Sequence, residues 1–430
     1  MQQINIIWFR NNLRIQDNEA LSLALEKDTP ILPVFCFEPE HYKPTQYGFK
    51  KTEAFRAQFL IETVEDLQQQ LEVLGLSLYI STASAKETFQ ALASQYQINQ
   101  IYTQREWTSE EQQVQQSIST LLPQTEWIET YDQFLFHPED IPFDIHQIPK
   151  VFSVFRKKCE RYCDVRGEYV ISNKIVNGIS LNSTLPKLED LGFKPIKKHP
   201  HTAFPFKGGS TAGQKRVKHY LWDSNRIAFY KKTRNGLLGL DYSSKFSAWL
   251  ANGSLSVRQI YQEILDYEEQ VEQNESTYWL IFELIWREFF KYVSLKHGNS
   301  IFHLEGITQR IYDWKTDIHS FQKWANGETQ EPFVNANMQE LQKTGWMSNR
   351  GRQNVASYFS KNMKMDWRIG AAYFEAMLID YDVHSNYGNW MYVAGVGNDP
   401  RDRTFNVQLQ ASRYDKQGKF QKLWLSPTLF

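Results

Sequence analysis

The sequence has few of the features that mark secreted, disulfide-bonded or membrane-spanning proteins. Its 430 residues include three cysteines, an odd number, so we predict a reducing, cytoplasmic location instead of a disulfide framework. The opening stretch MQQINIIWFRNNLR enters a strand-like run without a basic leader or a long apolar run. We therefore expect neither a secretory signal nor a membrane span, and we take a monomer as the default state.

Several familiar ligand patterns are missing too. No Gly-x-Gly-x-x-Gly turn follows a strand-like run, which disfavours a conventional NAD(P)H-dependent flavin oxidoreductase. Cys159 and Cys163 lie four apart on a predicted helix, but no nearby Cys or His pair completes a zinc pattern, so a structural role is favoured. The segment GGSTAGQK resembles a phosphate loop, yet Gln214 displaces Lys215 and no strand precedes it. We predict no metal site.

Charge is divided unevenly along the chain, although the net charge is only -1. Residues 1–150 contain 10 Lys and Arg against 21 Asp and Glu, whereas the remaining residues contain 38 against 28. Aromatic residues make up 15% of the chain, with 13 Trp, which raises the possibility of base stacking or electron transfer. A polyanionic partner is therefore expected to bind the second part of the chain.

The hydrophobic pattern divides the chain into three regions. Short apolar runs alternate with helix-like stretches up to about residue 130, which predicts an α/β domain built on a doubly wound parallel sheet. The predicted strands are 4–9, 31–37, 76–80, 98–102 and 127–131. Residues 131–205 contain scattered prolines and are interpreted as a surface connector. Residues 206–430 show helical periodicity, which predicts an all-α domain with helices such as 276–295, 334–343, 349–363 and 367–378.

Two segments of the helical region carry candidate chemistry. In DYSSKFSAWLANGSLS, Ser243, Ser244 and Ser247 surround Lys245 before a helix, which suits either a pyrophosphate site or an ordinary N-cap. In STYWLIFELIWREFFKYV, a nearly apolar helix contains Glu283, Trp286 and Arg287. Glu283 and Arg287 could form an internal ion pair, while a carboxylate beside an indole also suits recognition of a flipped base.

Two further segments concentrate polar groups in apolar helices, where burial is unfavourable unless something satisfies them. In GWMSNRGRQNVASYF, Trp346, Asn349 and Gln353 share one predicted helical face, with Arg350 and Arg352 elsewhere. In LIDYDVHSNYGNWMYVAG the crowded residues are Asp380, Asp382, Asn386, Asn389 and Trp390. A large polar heterocycle would satisfy such groups, although each residue taken singly suits a structural role.

Together these segments resemble the photolyase/cryptochrome family. The phrases FKGG, TRNGLLG, FELIWREFF, NANM, GWMSNRGRQNVASYF and YVAGVGNDPR are similar to its DASH branch, in the same order and over nearly the full chain. The resemblance implies an N-terminal α/β domain that can hold a methenyltetrahydrofolate antenna. It also implies a helical domain that binds FAD in a folded, U-shaped form.

The resemblance also assigns residues to the cofactor. Around the FAD phosphates and ribityl chain it places Tyr230, Ser243, Ser244, Lys245, Phe246 and Ser247. It assigns Arg287 to the cofactor, places Arg352, Asp380 and Asp382 around the isoalloxazine, and places Asn386 at flavin N5. An Asn there is the photolyase choice. For the antenna it points to the region of Glu106 and Glu110, without choosing between them.

For the substrate, the resemblance implies a pocket lined by Glu283, Trp286, Asn349, Gln353 and Tyr392, with Arg234 and Arg350 at DNA phosphates. Gln353 and Tyr392 are the DASH choices and imply a preference for single-stranded DNA. Asn349 stands where (6-4) photolyases have a catalytic His, so (6-4) repair is not expected. Trp390, Trp367 and Trp314 match the family's electron-transfer chain, although three core tryptophans would look the same in sequence.

The resulting functional prediction is light-driven repair of cyclobutane pyrimidine dimers, preferentially in single-stranded DNA. Reduced FAD would pass an electron to the dimer and recover it after the bonds split. In that reading the catalytic residues are Glu283, Asn349 and Asn386 together with the three chain tryptophans. The alternative is a blue-light receptor that binds FAD and single-stranded DNA or RNA, and signals without repair.

Overall fold

The computed structural model describes residues 1–171, 177–399 and 401–426. In these residues five strands form one parallel sheet: β1 Gln2–Trp8, β2 Ile31–Cys36, β3 Tyr79–Ser81, β4 Tyr96–Gln104 and β5 Glu126–Thr130. Their order across the sheet is β3-β2-β1-β4-β5. Each strand overlaps one predicted from the sequence, so the predicted parallel sheet is confirmed.

Apolar residues cover both faces of the sheet, as a parallel sheet requires. Successive side chains along a strand point to opposite faces, and Ile6 and Ile7 of β1 accordingly enter two different core clusters. Val34 and Phe35 of β2 divide in the same way. The strands therefore lie between two apolar layers, and polar groups collect at their ends.

The described residues also form seventeen α-helices. Those before residue 200 are α1 Glu19–Leu25, α2 Ala54–Val73, α3 Ala85–Gln95, α4 Ser109–Leu121 and α5 Phe152–Tyr162. The others are α6 Ser210–Lys218, α7 Tyr230–Thr233, α8 Ser247–Ala251, α9 Val257–Gln270, α10 Glu275–His297, α11 Ile318–Ala325, α12 Pro332–Thr344, α13 Asn349–Ser357, α14 Trp367–Met377, α15 Val383–Ala394, α16 Val407–Tyr414 and α17 Lys419–Leu425. None of these helices is long and apolar enough to cross a membrane.

The region interpreted as a connector contains helix α5, which confirms the helix predicted around Cys159 and has Cys163 as its C-cap. Helix α5 buries Phe152, Phe155 and Cys159 against the helical core. The chain then returns to the sheet, where the Ile179 N–H donates to the Ile31 carbonyl at 2.8 Å and Leu188 joins the core. The region thus packs on both halves, and the domain boundaries at 130 and 205 remain predictions.

The helical region confirms the four helices named from its periodicity, with one change. The helix predicted over 349–363 is α-helical only to Ser357 and continues as a π-helical turn over Tyr358–Asn362. Helix α10 lies at the centre and contacts helices α5, α7, α9 and α15. It therefore presents side chains to several sides of the molecule at once.

A buried ionic contact joins the two halves. Arg258 at the start of α9 donates to both carboxylate oxygens of Asp17, at 2.6 and 3.0 Å, and both residues are buried. Arg14 donates to the carbonyl of Gly253 at 2.8 Å. Gly253 has a φ of +69°, and a Cβ there would lie only 1.9 Å from the Asn11 carbonyl oxygen, so a side chain would not fit.

Candidate functional site

A cavity of about 850 Å³ lies between the sheet and the helical region. Loops that follow the carboxyl ends of β1, β2 and β4 form one wall, and helices α10, α14 and α15 form the other. Ligands of open parallel sheets bind beyond these strand ends, and the volume suits a cofactor-sized molecule. Four predicted site residues line the cavity: Glu106, Glu110, Arg287 and Asp382.

Asp382 forms a buried ion pair at this cavity. As the N-cap of α15, its Oδ1 accepts from the Ser385 N–H at 2.7 Å, and the Lys291 ammonium lies 3.3 Å from Oδ2. Burial raises the pKa of Asp382, but Lys291 and Arg287 outweigh that effect and hold the pKa well below its usual range. Lys291 was not predicted as a site residue. The feature that could have identified it is a single Lys within the apolar run FFKYV.

His384 is a second residue of the cavity wall that the sequence analysis did not select. Its ring stacks on Trp107 with centroids 4.4 Å apart, and Nδ1 lies 2.7 Å from the Ser294 hydroxyl oxygen. Burial holds the pKa of His384 well below its usual range, so the ring is neutral at physiological pH. It supplies a flat polar surface that carries no charge.

The two candidate antenna residues have different surroundings. Glu106 is buried, and its Oε1 accepts from Asn11 at 3.1 Å and from Gln104 at 2.8 Å. Burial raises the pKa of Glu106. Glu110 has a largely exposed side chain that pairs with Lys51. Glu106 is thus the one held in a fixed position inside the protein.

The predicted phosphate segment contains a buried cation without a partner. Arg216 donates to the carbonyls of Ser244 and Ser243, at 3.0 and 3.1 Å, which fixes this part of the backbone. Lys245 follows with a φ of +68°, and its buried ammonium has no hydrogen-bond partner within the described residues. The ammonium lies 3.3 Å from the Tyr242 ring centroid. A bound phosphate would supply the missing acceptor, so this segment fits FAD.

Burial strongly affects the charges around this ammonium. It lowers the pKa of Lys245 well below its usual value. Nearby Glu340 is fully buried, and burial raises its pKa to about 8. The protein alone stabilises a buried Lys245–Glu340 pair poorly, because both groups lose their hydration.

Arg352 and Asp380, predicted beside the isoalloxazine, are brought together. The Arg352 NH2 group lies 2.9 Å from each carboxylate oxygen of Asp380, and the Ser247 hydroxyl donates to Asp380 at 2.6 Å. Arg352 also donates to the Met347 carbonyl at 2.9 Å. This pair links the phosphate segment to α13, so two parts of the predicted cofactor site are held in one arrangement.

The other predicted flavin contacts lie in the surrounding core. Asn386 is buried on α15, where its amide donates to the Ala371 carbonyl at 3.0 Å and its carbonyl end is left for another partner. Tyr230 and Phe246 are also buried. Asn389, which the sequence analysis grouped with these residues, is exposed and donates to the Ser385 carbonyl.

The suggested ion pair between Glu283 and Arg287 is wrong. Glu283 pairs with Arg234, the residue that follows α7. Arg287 donates to the Gln133 carbonyl at 2.8 Å and to its neighbour Glu288 at 3.0 Å. Each of the two side chains takes a partner other than the one four residues away, so the local pair does not form.

Glu283 lies near an aromatic surface at the predicted substrate pocket. Trp286, one turn further along α10, stacks on Phe152 with centroids 3.7 Å apart and meets Tyr392 edge-on at 6.0 Å. Trp286 and Tyr392 are each half-buried. The structure therefore places Tyr392 against Trp286, with Glu283 one turn before Trp286 on α10.

Helix α13 carries the two amide residues that were predicted to line the substrate pocket, Asn349 and Gln353. It begins at Asn349 with Ser348 as its N-cap, so Trp346 precedes the helix and does not share its face. Arg350 was predicted to point away from Gln353, but it donates to the Gln353 Oε1 at 2.9 Å and to Asn235 at 2.9 Å. Asn349 is exposed and Gln353 is half-buried.

The three predicted chain tryptophans belong to one cluster in the helical region. Trp390 and Trp367 are buried in it, and Trp314 packs against it with partial exposure. Trp324, which the sequence analysis missed, is buried 6.3 Å from Trp390, centroid to centroid. Of the three predicted tryptophans, Trp314 is the one that water reaches, and Trp367 and Trp390 are both buried.

Comparisons with known proteins agree with this architecture. The family model for DNA photolyase matches residues 5–170, and the model for the FAD binding domain of DNA photolyase matches residues 279–429. A Cryptochrome DASH of Gloeobacter violaceus is 43% identical over 424 residues, covering 98% of this chain and 85% of that protein. A Cryptochrome DASH of Xenopus laevis is 43% identical over 436 residues, covering 98% of this chain and 82% of that protein.

Solved structures give the same result. The crystal structure of a Synechocystis cryptochrome superposes with a TM-score of 0.94 at 42% identity, over 99% of this chain and 89% of that one. A class III photolyase of Agrobacterium tumefaciens superposes with a TM-score of 0.83 at 23% identity, over 99% of this chain and 87% of that one. At this lower identity the second match concerns the fold alone.

Proposed function

The chain belongs to the photolyase/cryptochrome family, on its DASH branch, and we propose that it repairs cyclobutane pyrimidine dimers in light, preferentially in single-stranded DNA. Its cofactor is FAD, in keeping with the FAD binding domain. The observation that carries the proposal is the contact of Tyr392 with Trp286 on α10, one turn from the Glu283 carboxylate. A carboxylate beside accessible ring faces suits a base that has left its stack.

FAD would be held by several segments of this chain. Lys245 would pair with a phosphate, and the Arg352–Asp380 pair would lie beside the ring system, with Asn386 offering its amide to it. Held by these residues, FAD would supply light-driven electron transfer to the dimer, with return of the electron after the bonds split. The fixed charges of Arg352, Asp380 and Asp382 would tune the potential at which this occurs.

Glu283 would hold the pyrimidine edge while Trp286 stacks on the base. Replacing Glu283 with Ala is expected to lower the yield of dimers split per absorbed photon, because a hydrogen bond to the charged dimer is lost. Glu275→Ala is a matched control on the same helix, since Glu275 has an exposed side chain that pairs with Lys231. An unchanged yield in Glu283→Ala, measured with both proteins saturated with substrate, would exclude this role.

The preference for single strands is assigned to Gln353 and Tyr392. Extraction of a dimer from a duplex requires that binding compensate for unstacking, and these residues offer less apolar contact than Met and Trp. The double variant Gln353→Met with Tyr392→Trp is therefore expected to gain repair on duplex DNA relative to single strands. If the ratio of the two repair rates does not change, the assignment is wrong.

The tryptophan chain is proposed to deliver electrons from the surface to the cofactor during photoreduction. Trp390→Phe should slow photoreduction most, because it interrupts the path at its inner end. Trp324→Phe serves as a control, since Trp324 is equally buried and contacts Trp390. Equal slowing by both variants, followed by flavin absorption under blue light with a chemical reductant, would argue against a defined path.

The antenna is proposed to be a folate in the cavity of about 850 Å³, with Glu106 as its fixed polar contact. The direct test of binding is fluorescence of methenyltetrahydrofolate added to the purified protein, compared with Glu106→Gln. Loss of binding in that variant supports the assignment, and unchanged binding rejects it.

The decisive test of the overall proposal is repair of a thymine-dimer oligonucleotide in blue light, single-stranded and duplex in parallel. The protein is used with its flavin photoreduced. Repair of the single strand with little on the duplex is the expected result. FAD binding and dimer binding without turnover would instead support a light receptor that signals without repair.

A further inference from the structure

Arg234, predicted at a DNA phosphate, is already occupied by the carboxylate of Glu283. The two residues come from different elements, Arg234 from the end of α7 and Glu283 from α10. Their side chains are 17% and 27% exposed, so the pair is partly accessible to a nucleic acid. The same guanidinium therefore has two candidate acceptors.

Other cations and polar groups lie around the pair. Lys231 packs over the Trp279 ring at 4.4 Å, and the Arg234 guanidinium lies 6.0 Å from the same ring. The adjacent residue, Asn235, accepts from Arg350 at 2.9 Å, so the second predicted phosphate ligand joins the same network. A phosphate arriving here meets a concentrated positive field.

We infer that Arg234 is a positioning residue that exchanges the Glu283 carboxylate for a DNA phosphate when the lesion binds. The inference rests on the proposed dimer substrate. The contact between Arg234 and Glu283 runs through Nη1 of the guanidinium. A DNA phosphate that binds the planar guanidinium as a bidentate pair competes with the carboxylate for Nη1. Phosphate binding at Arg234 therefore releases the carboxylate.

Release changes the protonation of Glu283. Burial raises the pKa of Glu283, and the Arg234 guanidinium opposes that shift in the free protein. The other titratable groups facing the site are Tyr230, Lys231 and Arg350. Once Arg234 has left, a solvent proton binds the carboxylate. The resulting O–H can donate to a pyrimidine carbonyl oxygen, which an ionised carboxylate cannot do.

The test is the number of protons taken up when the protein binds a dimer-containing oligonucleotide at neutral pH. Isothermal titration in buffers of different ionisation enthalpy measures this number. We expect an uptake approaching about one proton per complex for the natural protein. Arg234→Gln should show almost none, because Glu283 is then protonated before DNA arrives. Glu283→Gln should also show almost none.

Lys232→Gln is the matched control, because Lys232 is an exposed cation two residues from Arg234. It should retain the uptake even if it weakens binding to a similar extent. Infrared spectra of the DNA-free proteins give an independent readout. Glu340 gives every one of these proteins a protonated carboxyl band, so the readout is the difference spectrum: Arg234→Gln minus the natural protein should show one additional carboxyl band, which is lost in the double variant with Glu283→Gln.

The outcomes separate the two proposals. Binding and repair with no proton uptake, or with equal uptake in the natural protein and Arg234→Gln, overturns the exchange alone. Absence of the additional carboxyl band from the difference spectrum of Arg234→Gln overturns it too. If the protein does not bind the dimer-containing oligonucleotide, the proposed function fails and the exchange fails with it.

Discussion

Two buried cations in this protein have opposite surroundings. Arg258, at the contact between the sheet and the helices, places two donors on the carboxylate of Asp17. Lys245, in the predicted phosphate segment, is buried as completely but has no hydrogen-bond partner within the described residues. The protein completes the first site by itself and leaves the second incomplete.

The difference shows how a structural charge can be told from a ligand site. A buried charge without a partner is unfavourable, so it persists where a ligand completes it or where its pKa shifts. Burial does shift the pKa of Lys245 downward, and it raises that of the neighbouring Glu340. Asp17, by contrast, is satisfied by Arg258, the Ser256 hydroxyl and the Tyr169 N–H.

The largest effect should come from breaking the completed site. Asp17→Asn leaves the Arg258 guanidinium buried without its counter-charge, which is expected to destabilise the fold by about 3–5 kcal/mol. Asp17 has a φ of +48°, and Asn tolerates that conformation, so the change tests charge and not backbone strain. The change in the free energy of unfolding is measured by urea denaturation. A loss below about 1 kcal/mol would contradict the proposal that the Asp17–Arg258 site is completed by the protein itself.

Removing the unpaired cation should have the reverse pattern. Lys245→Met is expected to leave the FAD-free protein as stable as before, or slightly more stable, because an apolar side chain replaces a buried amine without a hydrogen-bond partner among the described residues. Its FAD affinity should fall by roughly 10- to 100-fold, from the loss of about 1.5–3 kcal/mol in a charged hydrogen bond. Flavin fluorescence titration measures the affinity. Lys215→Met, at an exposed lysine of α6, should change neither quantity.

The buried carboxyl group of Glu340, next to Lys245, should make the stability of the FAD-free protein depend on pH. Its pKa is about 8 in the fold, above the ordinary value of 4.5, so the folded state holds a proton that the unfolded state releases. Stability of the FAD-free protein should therefore fall as pH rises from about 4.5 towards 8. Glu340→Gln should reduce that fall by about 1 kcal/mol or more between pH 5.5 and 8.5. Parallel unfolding profiles for the two proteins would show that Glu340 does not titrate there.

The smallest effect is expected at an exposed pair. Arg166 donates to Asp140 at 2.6 Å and to Glu139 at 3.1 Å, with side chains that water reaches. Arg166→Gln should shift the free energy of unfolding by less than about 1 kcal/mol. A loss of unfolding free energy as large as that for Asp17→Asn would contradict the expectation that a buried ion pair contributes more to stability than an accessible one.

Local pattern was enough to predict the sheet and the main helices, because apolar periodicity is a property of neighbouring residues. It failed where distant segments decide. Glu283 has Arg287 four residues away, yet it pairs with Arg234. No feature of the sequence near residue 283 predicts this pair. The π-helical turn after Ser357 was read as a continued α-helix. Lys291 was overlooked because its partner Asp382 lies 91 residues later.

The Asp17–Arg258 contact also has a consequence for synthesis of the chain. The two residues are separated by 241 positions, so Arg258 leaves the ribosome roughly 12 to 50 s after Asp17. During that interval the nascent sheet must keep its Asp17 carboxylate in water, with the loops at its carboxyl edge uncovered. The helical region therefore covers this edge of the sheet late in synthesis. Until then, the amino-terminal half is folded but its carboxyl edge is accessible to a chaperone.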